Sequence, residues 1–451
     1  MDRFMNPKSV AVIGASEDPQ KGGYALVSNL KEKFSERLYP INPNATEICG
    51  LRAFRSVGDL PEPPDLAIVF IPAGSVPEVM EACGEKGISR IMIQSAGFAE
   101  TGPQGLALQD ACVRVAQKYR MRVWGPNCMG LVNGRTGMVA SFMRPDIWRG
   151  HLKPGPVSLI VQSGMLSAGF VIQILKEGFF GLSKACSIGN RCDVHESDLL
   201  EYFVEDSETQ VIAMYLESIA DVPRFRRIME CLKKPVVLLK GGTSAEGARA
   251  AQSHTGTLAG HARITEGFLR QMKIHRANDF FEMVDLARSL ALWQGKRRGQ
   301  AVGIVSFSGA SGIVAADHLE RHGMTLAPLS GKTLRTLEAI FPVWMTPQNP
   351  VDLWPAIEKR GLLAYAAAIQ ALLSDPQVDA LYLHLYMDKK ILPQILDSLT
   401  PLKESPKRAA IWVMGDPQSF REFRDTVEPL GVPVFTEVGR GAQALGAGFP
   451  L

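Results

Sequence analysis

Short apolar runs alternate with amphipathic stretches along the first third of the 451-residue chain. The runs have the length of buried strands and begin at Ser9, Leu38, Leu66, Arg90 and Arg122. Stretches 76–86 and 105–119, which lie between them, show a helical spacing of apolar positions. Continuous apolar strands that alternate with helices form parallel sheets with right-handed crossovers. The pattern therefore predicts an α/β fold.

The same alternation begins again twice. A Gly- and Pro-rich connector over about residues 133–156 precedes a second series, and the basic stretch 295–300 precedes a third. Both later series open with an apolar strand, then Ser-Gly, then a helix start of small residues. This favours two copies of one unit, although Ser and Gly are preferred at any strand-to-helix turn. The sequence predicts three domains, over residues 1–133, 155–295 and 300–451.

Composition and charge narrow the class of protein. Basic side chains number 49 and acidic ones 46, and the resulting +3 is too small for a dedicated nucleic-acid or polybasic membrane surface. The seven cysteines form no C-x-x-C pair, which indicates reduced thiols. No apolar run approaches the ~18 residues of a membrane span, and the first residues lack the apolar run of a signal peptide. We expect a cytoplasmic protein.

The first strand-to-helix turn, residues 14–23, could hold a phosphate group at a helix N-terminus. A dinucleotide site would need the spacing G-x-G-x-x-G and an acidic residue at the end of the second strand. The close glycine spacing is missing, and the second strand ends at Asn42-Pro43. A nicotinamide-dependent oxidoreductase is therefore disfavoured.

Five segments of the first domain resemble, in order, the CoA-binding domain of succinyl-CoA synthetase and of its NDP-forming acyl-CoA synthetase relatives. They are residues 12–16, 39–43, 71–73, 95–100 and 125–130. The resemblance implies a Rossmann-like domain in which the strand-end loops bind coenzyme A as a substrate. The residues placed near CoA are Gly14, Ser16, Lys21, Asn42, Pro43, Gln94, Ser95, Ala96 and Asn127.

Three residues of this domain need separate treatment. Lys21 could neutralise a CoA phosphate as a point charge, or it could be a solvated loop lysine. Relatives often carry a lysine just after the Asn-Pro pair, but this chain has Asn44-Ala45, so one phosphate contact is expected to be missing. Cys128 is expected to be a small buried side chain, since nothing nearby in the sequence would activate a thiolate nucleophile.

Residues 253–260 of the second domain are very similar to the phosphohistidine loop of the same family. The resemblance makes His254 the phosphoryl carrier, and imidazole suits that task because it is a neutral nucleophile near pH 7. Glu217 ends an apolar strand, and the resemblance implies that it orients His254; a solvated carboxylate is the alternative. Ser163, Gly164 and Met165 begin a helix whose free N–H groups favour a phosphate.

The remaining candidates add less to the predicted site. Arg191 is left outside it because relatives often lack an arginine there. Ala168 replaces a tyrosine of the succinate-using relatives, which favours a monocarboxylic acyl group. Residues 309–317 and 349–353 of the third domain also match the family. The spacings of His195, His254, His261 and His275 match no compact zinc pattern, so no metal site is predicted.

The resemblance covers nearly the whole chain and implies two flavodoxin-like parallel-sheet domains after the CoA-binding domain. It implies the α subunit of an NDP-forming acyl-CoA synthetase, similar to the ADP-forming acetyl-CoA synthetases. Such an enzyme interconverts acyl-CoA, phosphate and ADP with acid, CoA and ATP. Relatives carry an ATP-grasp module, so we expect an ATP-grasp β subunit that holds ATP or ADP with Mg²⁺, in a hetero-oligomer. A non-catalytic CoA-binding regulatory subunit is the alternative, but it would not need His254.

Overall fold

The computed structural model describes residues 1–247, 249, 262–387 and 392–447. The chain divides into two compact units, unit 1 with residues 1–287 and unit 2 with residues 288–451. None of the helices in the described ranges is both long and apolar enough to span a membrane. The α/β fold class predicted from the sequence is confirmed in both units.

The first sheet of unit 1 has five parallel strands in the order β2-β1-β5-β6-β7. Its strands β1, β2 and β5 are buried at every residue, as the apolar runs predicted. The strands of this region are β1 (Val10–Ile13), β2 (Leu38–Ile41), β3 (Glu47–Ile48), β4 (Leu51–Arg52), β5 (Leu66–Val69), β6 (Arg90–Ile93) and β7 (Arg122–Trp124). Its helices are α1 (Asp2–Met5), α2 (Gly22–Phe34), α3 (Val76–Glu85) and α4 (Pro103–Tyr119).

The second sheet of unit 1 has seven strands in the order β14-β13-β12-β10-β11-β8-β9. Its strands are β8 (Leu131–Asn133), β9 (Met138–Ala140), β10 (Pro154–Val161), β11 (Leu182–Ser187), β12 (Val211–Leu216), β13 (Val236–Lys240) and β14 (His275–Ala277). Its helices are α5 (Gly164–Glu177), α6 (Glu196–Glu205), α7 (Val222–Cys231), α8 (Ala262–Gln271) and α9 (Phe280–Leu292), the last of which continues into unit 2.

The connector predicted over residues 133–156 is partly wrong. Residues 131–140 form the hairpin β8–β9, which extends the second sheet because β8 pairs antiparallel with β11. Gly134 lies so close to β11 that a Cβ there would be 2.1 Å from the carbonyl oxygen of Leu182. The glycine that suggested a linker therefore permits a tight approach of two backbones.

The two sheets of unit 1 meet along a backbone seam, formed by segment 187–194 against segment 123–130. Four backbone hydrogen bonds cross it, between Ser187 N and Gly130 O, Asn190 N and Pro126 O, Cys192 N and Gly125 O, and Val194 N and Val123 O. A Cβ at Gly189 would lie 2.1 Å from the carbonyl oxygen of Pro126, so only glycine fits there. One hydrophobic core extends over residues of both sheets.

Unit 2 is built on a parallel sheet in the order β16-β15-β18-β19-β20, with β17 also paired to β15. Apolar clusters cover its two faces. The strands are β15 (Ala301–Ser306), β16 (Thr325–Leu326), β17 (Val351–Asp352), β18 (Ala380–Met387), β19 (Arg408–Gly415) and β20 (Val434–Phe435). The helices are α10 (Gly309–Arg321), α11 (Gly331–Glu338), α12 (Trp354–Arg360), α13 (Leu363–Ser374), α14 (Leu392–Leu399), α15 (Pro401–Glu404), α16 (Pro417–Val427) and α17 (Val438–Gly446).

Candidate active site

A cavity of about 250 Å³ lies in unit 1 where the carboxyl ends of five strands meet. One wall comes from loops that follow β6 and β7 of the first sheet, and the other from loops that follow β10, β11 and β12 of the second. The lining residues are Ala99, Glu100, Asn127, Gln162, Ser163, Gly164, Met165, Gly189, Asn190, Arg191 and Glu217. The cavity is therefore shared by the two sheets, at the edges where α/β proteins bind ligands.

The N-terminus of α5 opens into this cavity. Ser163 caps the helix, since its Oγ accepts a hydrogen bond from Leu166 N at 3.3 Å. Gly164 lies against the first sheet, where an added Cβ would be 3.4 Å from Asn127 O. The first N–H groups of a helix have no intrahelical acceptor, and the helix dipole favours an anion beside them. The predicted phosphate-binding residues Ser163, Gly164 and Met165 thus lie together at one edge of the cavity.

The loop that carries Glu217 is held by side chains from other strands rather than by regular secondary structure. Gln162 Oε1 accepts from Glu217 N at 2.8 Å and from Ser218 N at 3.4 Å. On the other side of the loop, Lys240 Nζ donates to Glu217 O at 2.6 Å. Burial lowers the pKa of Lys240, and the nearby charge of Glu217 opposes this. The Glu217 backbone is consequently fixed at both its N–H and its carbonyl group.

A buried ion pair fixes the next part of the same loop. The guanidinium of Arg191 donates to Ser218 O at 2.9 Å and to Ser218 Oγ at 2.8 Å. It also pairs with Glu196 Oε2 at 3.0 Å, and the two side chains are 9% and 0% exposed. The second oxygen of Glu196 accepts from Ala220 N at 2.6 Å. Arg191 and Glu196 therefore position the backbone beside Glu217 from a third element of the fold.

The Glu217 carboxylate lies near the hydroxyl of Tyr215, the second-last residue of β12. Burial raises the pKa of Tyr215, and the nearby Glu217 raises it further. Gly241 packs closely here, since a Cβ would lie 3.0 Å from Tyr215 Oη. His254 lies outside the described residues. Its predicted contact with Glu217 stays a prediction.

A polar network covers the wall formed by the first sheet. Asn190 Nδ2 donates to Glu100 Oε2 at 2.6 Å and to Gln109 Oε1 at 3.0 Å. Asn127 Nδ2 donates to Asn190 Oδ1 at 3.4 Å. Burial would raise the pKa of Glu100, but hydrogen bonds from Asn190 and from the backbone N–H groups of Gly97 and Phe98 outweigh it and lower that pKa. Glu100 therefore stays ionised in this wall.

The other predicted CoA residues lie along the carboxyl edge of the first sheet but outside the lining of the cavity. Gly14 has φ of +92°, and an added Cβ would lie 2.2 Å from Phe70 O, so only glycine fits. Asn42 Nδ2 donates to Ala15 O at 2.7 Å, which ties the loops after β1 and β2 together. Ser16 Oγ accepts from Asp18 N at 3.1 Å. Pro43, Ala96 and Lys21 are exposed, and Lys21 directly precedes α2.

Two predicted CoA residues are occupied by internal contacts. Gln94 is buried, and its Nε2 donates to Ala140 O at 2.7 Å. Ser95 Oγ accepts from Ile71 N at 3.0 Å, and Ser95 O accepts from Asn127 N at 2.9 Å. Asn127 is the member of the predicted CoA set that lines the cavity.

Cys128 is buried, and its Sγ contacts Ile93 O at 3.4 Å. Burial raises the pKa of its thiol to about 12, so the thiolate is not available near neutral pH. Sequence reasoning did not single out Gln162, Asn190, Glu196 or Lys240. For Gln162, Asn190 and Lys240 a signal was available, since they lie at or shortly after the carboxyl ends of strands; Glu196, at the start of α6, had none. In the described ranges, no group of three or more His, Cys, Asp and Glu side chains is placed to bind a metal ion.

Comparisons with known proteins agree with this architecture. Residues 8–134 match a family model described as a CoA binding domain, and residues 154–290 match one described as a succinyl-CoA ligase like flavodoxin domain. The α subunit of ADP-forming acetate–CoA ligase II from Pyrococcus furiosus is 40% identical over 383 residues, which cover 84% of this chain and 81% of the relative. The α subunit of ADP-forming acetate–CoA ligase I from the same organism is 33% identical, and the match covers 99% of this chain and 96% of that relative.

A solved structure of an acetyl-coenzyme A synthetase has the same fold as this chain. The dinucleotide-forming acetyl-coenzyme A synthetase 1 of Ca. Korarchaeum cryptofilum, solved with phosphate and ADP, superposes with a TM-score of 0.89. It is 29% identical, and the match covers 99% of this chain and 96% of that one. The fold and its cavity thus define a ligase with a CoA-binding domain. This chain belongs to the family of ADP-forming acetate–CoA ligase α subunits. The family, fold class and ligase function expected from the sequence are confirmed.

Proposed function

We propose that this chain catalyses the acyl half of an ADP-forming acyl-CoA ligase reaction, with His254 as phosphoryl carrier. One observation carries the proposal. The cavity takes Asn127 and Glu100 from the sheet of the CoA-binding domain, and the α5 N-terminus and Glu217 from the flavodoxin-like domain. A thioester that enters along the first sheet would therefore meet a phosphate held by the second.

The first step joins phosphate to the acyl group. A phosphate oxygen attacks the thioester carbonyl, the C–S bond breaks, and CoA leaves as the thiolate. Phosphate and the tetrahedral intermediate are both anionic, and the N–H groups of Gly164 and Met165, which line the cavity at the α5 N-terminus, would stabilise them. The product is an acyl phosphate in the same cavity.

The second step transfers the phosphoryl group to His254. The lone pair of Nε2 forms the N–P bond while the P–O bond to the acyl group breaks, and the carboxylate leaves with the electron pair. The other ring nitrogen keeps its proton and donates it in a hydrogen bond to Glu217, which stabilises the positive charge that develops on the imidazole. The rigid backbone of Glu217 makes this orientation possible without reorganisation.

The rest of the reaction is assigned to a partner. ADP or ATP with Mg²⁺ would be held by an ATP-grasp β subunit, and the phosphoryl group would pass from His254 to ADP there. The names of the Pyrococcus furiosus relatives as α subunits support a partner. So does ADP-forming acetate–CoA ligase II of Archaeoglobus fulgidus, since 98% of this chain matches only 65% of that relative. The domain boundaries proposed are those of the sequence prediction, residues 1–133, 155–295 and 300–451.

The substrate and compartment can also be proposed. Ala168, which is buried in α5, replaces the tyrosine of the succinate-using relatives; this favours a monocarboxylic acid, and relatives named for acetate agree with it. All seven cysteines are free thiols, which supports a reducing cytoplasm.

The test uses the chain together with its native β subunit. Incubation with Mg²⁺ and ATP that is radiolabelled in the γ-phosphate should give an acid-labile, base-stable label on this chain. His254→Ala should abolish the label, whereas His261→Ala, the next histidine along the chain, should keep it. An unlabelled wild-type chain that still binds CoA beside an active partner would contradict the ligase proposal and favour a non-catalytic regulatory subunit.

A further inference from the structure

Gln162 lies between β10 and the serine that caps α5, and it lines the cavity with only 6% of its surface exposed. The orientation of its amide group is fixed by the loop that follows β12. Oε1 accepts from two backbone N–H groups, those of Glu217 and Ser218. The reversed orientation would place the NH₂ group against two donors, which is unfavourable. The oxygen therefore faces the loop.

This orientation leaves the NH₂ group of Gln162 on the side of the cavity. A planar amide presents its nitrogen away from the acceptors that bind its oxygen, and Nε2 carries two donors. Within the described part of the chain, no group accepts a hydrogen bond from Nε2. Nε2 therefore offers its donors to a ligand in the cavity that supplies the acceptor.

The charge of the surrounding groups explains why a neutral donor suits this position. Glu217 lines the same cavity, and a lysine or arginine at position 162 would pair with its carboxylate and weaken the hydrogen bond proposed between Glu217 and His254. An amide can donate to an anion without neutralising a carboxylate nearby. Arg191 cannot easily serve instead, because its guanidinium is bound to Glu196 and Ser218.

We propose that Gln162 is a catalytic residue whose Nε2 donates to a non-bridging oxygen of the transferring phosphoryl group, while its Oε1 positions Glu217. This inference rests on the proposed function. As the N–P bond forms and the P–O bond to the acyl group breaks, negative charge is spread over the non-bridging oxygens. The amide stabilises that charge and neither gains nor loses a proton.

The test measures transfer of a radiolabelled phosphoryl group from acetyl phosphate to the chain in complex with its β subunit. Gln162→Glu has the same shape and keeps an acceptor for Glu217 N and Ser218 N, but it replaces the donors with a carboxylate. We expect a loss of about 10²–10³-fold in the transfer rate, with CoA binding unchanged. The loss should shrink as pH falls, because the protonated carboxyl group can donate again.

Two further variants keep the test decisive. Gln210→Glu makes the same change of charge at the amino-terminal side of β12, and its rate should stay within about two-fold of wild type. Gln162→Met preserves volume without polar atoms; its rate should fall without recovery at low pH. If Gln162→Glu keeps the wild-type rate while only Gln162→Met is impaired, the residue merely positions the loop and the proposal is overturned. A wild-type chain that takes no label contradicts the proposed function instead, so the two failures are distinct.

Discussion

Two strand-to-helix turns of this chain share a backbone design but differ in what they present. In unit 1, β10 leads through Ser163 into α5; in unit 2, β15 leads through Ser308 into α10. Both serines cap their helix, with Oγ accepting a backbone N–H at 3.3 Å in the first turn and at 3.4 Å in the second. The local resemblance predicted from the sequence is therefore real at the level of the turn.

The residues around the two turns differ. Gln162 precedes the first serine, and its amide group lines the cavity of unit 1. Phe307 precedes the second and packs against Trp354 and Tyr386, with ring centroids 5.3 and 5.6 Å apart. A carboxylate already faces the start of α10, since a Cβ at Gly309 would lie 2.9 Å from Asp352 Oδ2. The comparison teaches that a capped helix start serves an anion only where nothing in the protein already occupies it.

The largest effect is expected when the carboxylate near each turn, Glu217 in unit 1 and Asp352 in unit 2, is replaced by its amide. Glu217→Gln should slow phosphorylation of the chain by about 10³-fold, because the amide stabilises a developing imidazolium poorly. Asp352→Asn should change that rate by less than about three-fold, since Asp352 serves its own helix start and Trp354 N. Stopped-time labelling of both variants with the β subunit present provides the measurement. Equal losses in both would show that the two turns are functionally alike.

The second prediction concerns one buried ion pair in each unit. Glu196→Gln removes the carboxylate that pairs with Arg191, and Glu428→Gln removes the carboxylate that contacts Arg288 at 2.7 Å. Each should reduce the free energy of unfolding by about 3 kcal/mol. At a temperature where both variants remain folded, Glu196→Gln should also lower kcat, because Glu196 holds the loop beside Glu217. Denaturant unfolding measures the loss of stability in each variant, and steady-state kinetics measures kcat. A matching fall in kcat for both variants would contradict the positioning role of Glu196.

The third prediction is a pH effect confined to unit 2. His384 is buried and packs against Trp412 with tilted rings, and burial lowers the pKa of His384 to about 4. The imidazole of His384 is therefore protonated below about pH 6.5 in the unfolded chain but only below about pH 4 in the folded chain. As a result, the free energy of unfolding falls as pH drops from about 6.5 towards about 4. Between about pH 7 and about pH 5 the loss should be about 2 kcal/mol. His384→Phe should remove this slope in thermal unfolding; an unchanged slope would assign it to other groups.

The smallest expected effect is the loss of either cap. Ser163→Ala and Ser308→Ala should each destabilise the protein by about 1 kcal/mol. Ser163→Ala should in addition raise the KM for phosphate, because the start of α5 borders the cavity. Ser308→Ala serves as its matched control. A similar change of KM in both variants would mean that the serine at the start of α10 also takes part in the reaction.

The elements that were predicted well are those whose signal is local. Strand β12, Val211–Leu216, coincides with its apolar run, and Glu217 follows it as predicted. The hairpin β8–β9 was missed because each strand has three residues, too few for a periodic signal, and because its pairing depends on β11. A short apolar run becomes a strand only when a partner edge is available, and sequence spacing does not reveal that edge.

The candidate site shows the same division. Ser163 was predicted because a cap is a local feature, whereas Gln162 was not, because its role depends on a hydrogen bond to a residue 55 positions later. The position of Glu196 depends likewise on Arg191 and on the loop at Ala220. Groups that bind the ligand directly leave a motif in the sequence. Groups that hold those groups in place are recognised only once the strands are brought together.

The seam between the two sheets of unit 1 limits how such proteins can be recombined. Segment 187–194 follows segment 123–130 backbone to backbone, and Gly189 leaves no space for a side chain. A CoA-binding domain taken from another protein would have to reproduce the path of that segment, not only its ligand contacts. In a chimera, segments 123–130 and 187–194 should therefore come from the same parent, which is achieved by exchanging unit 1 as a whole.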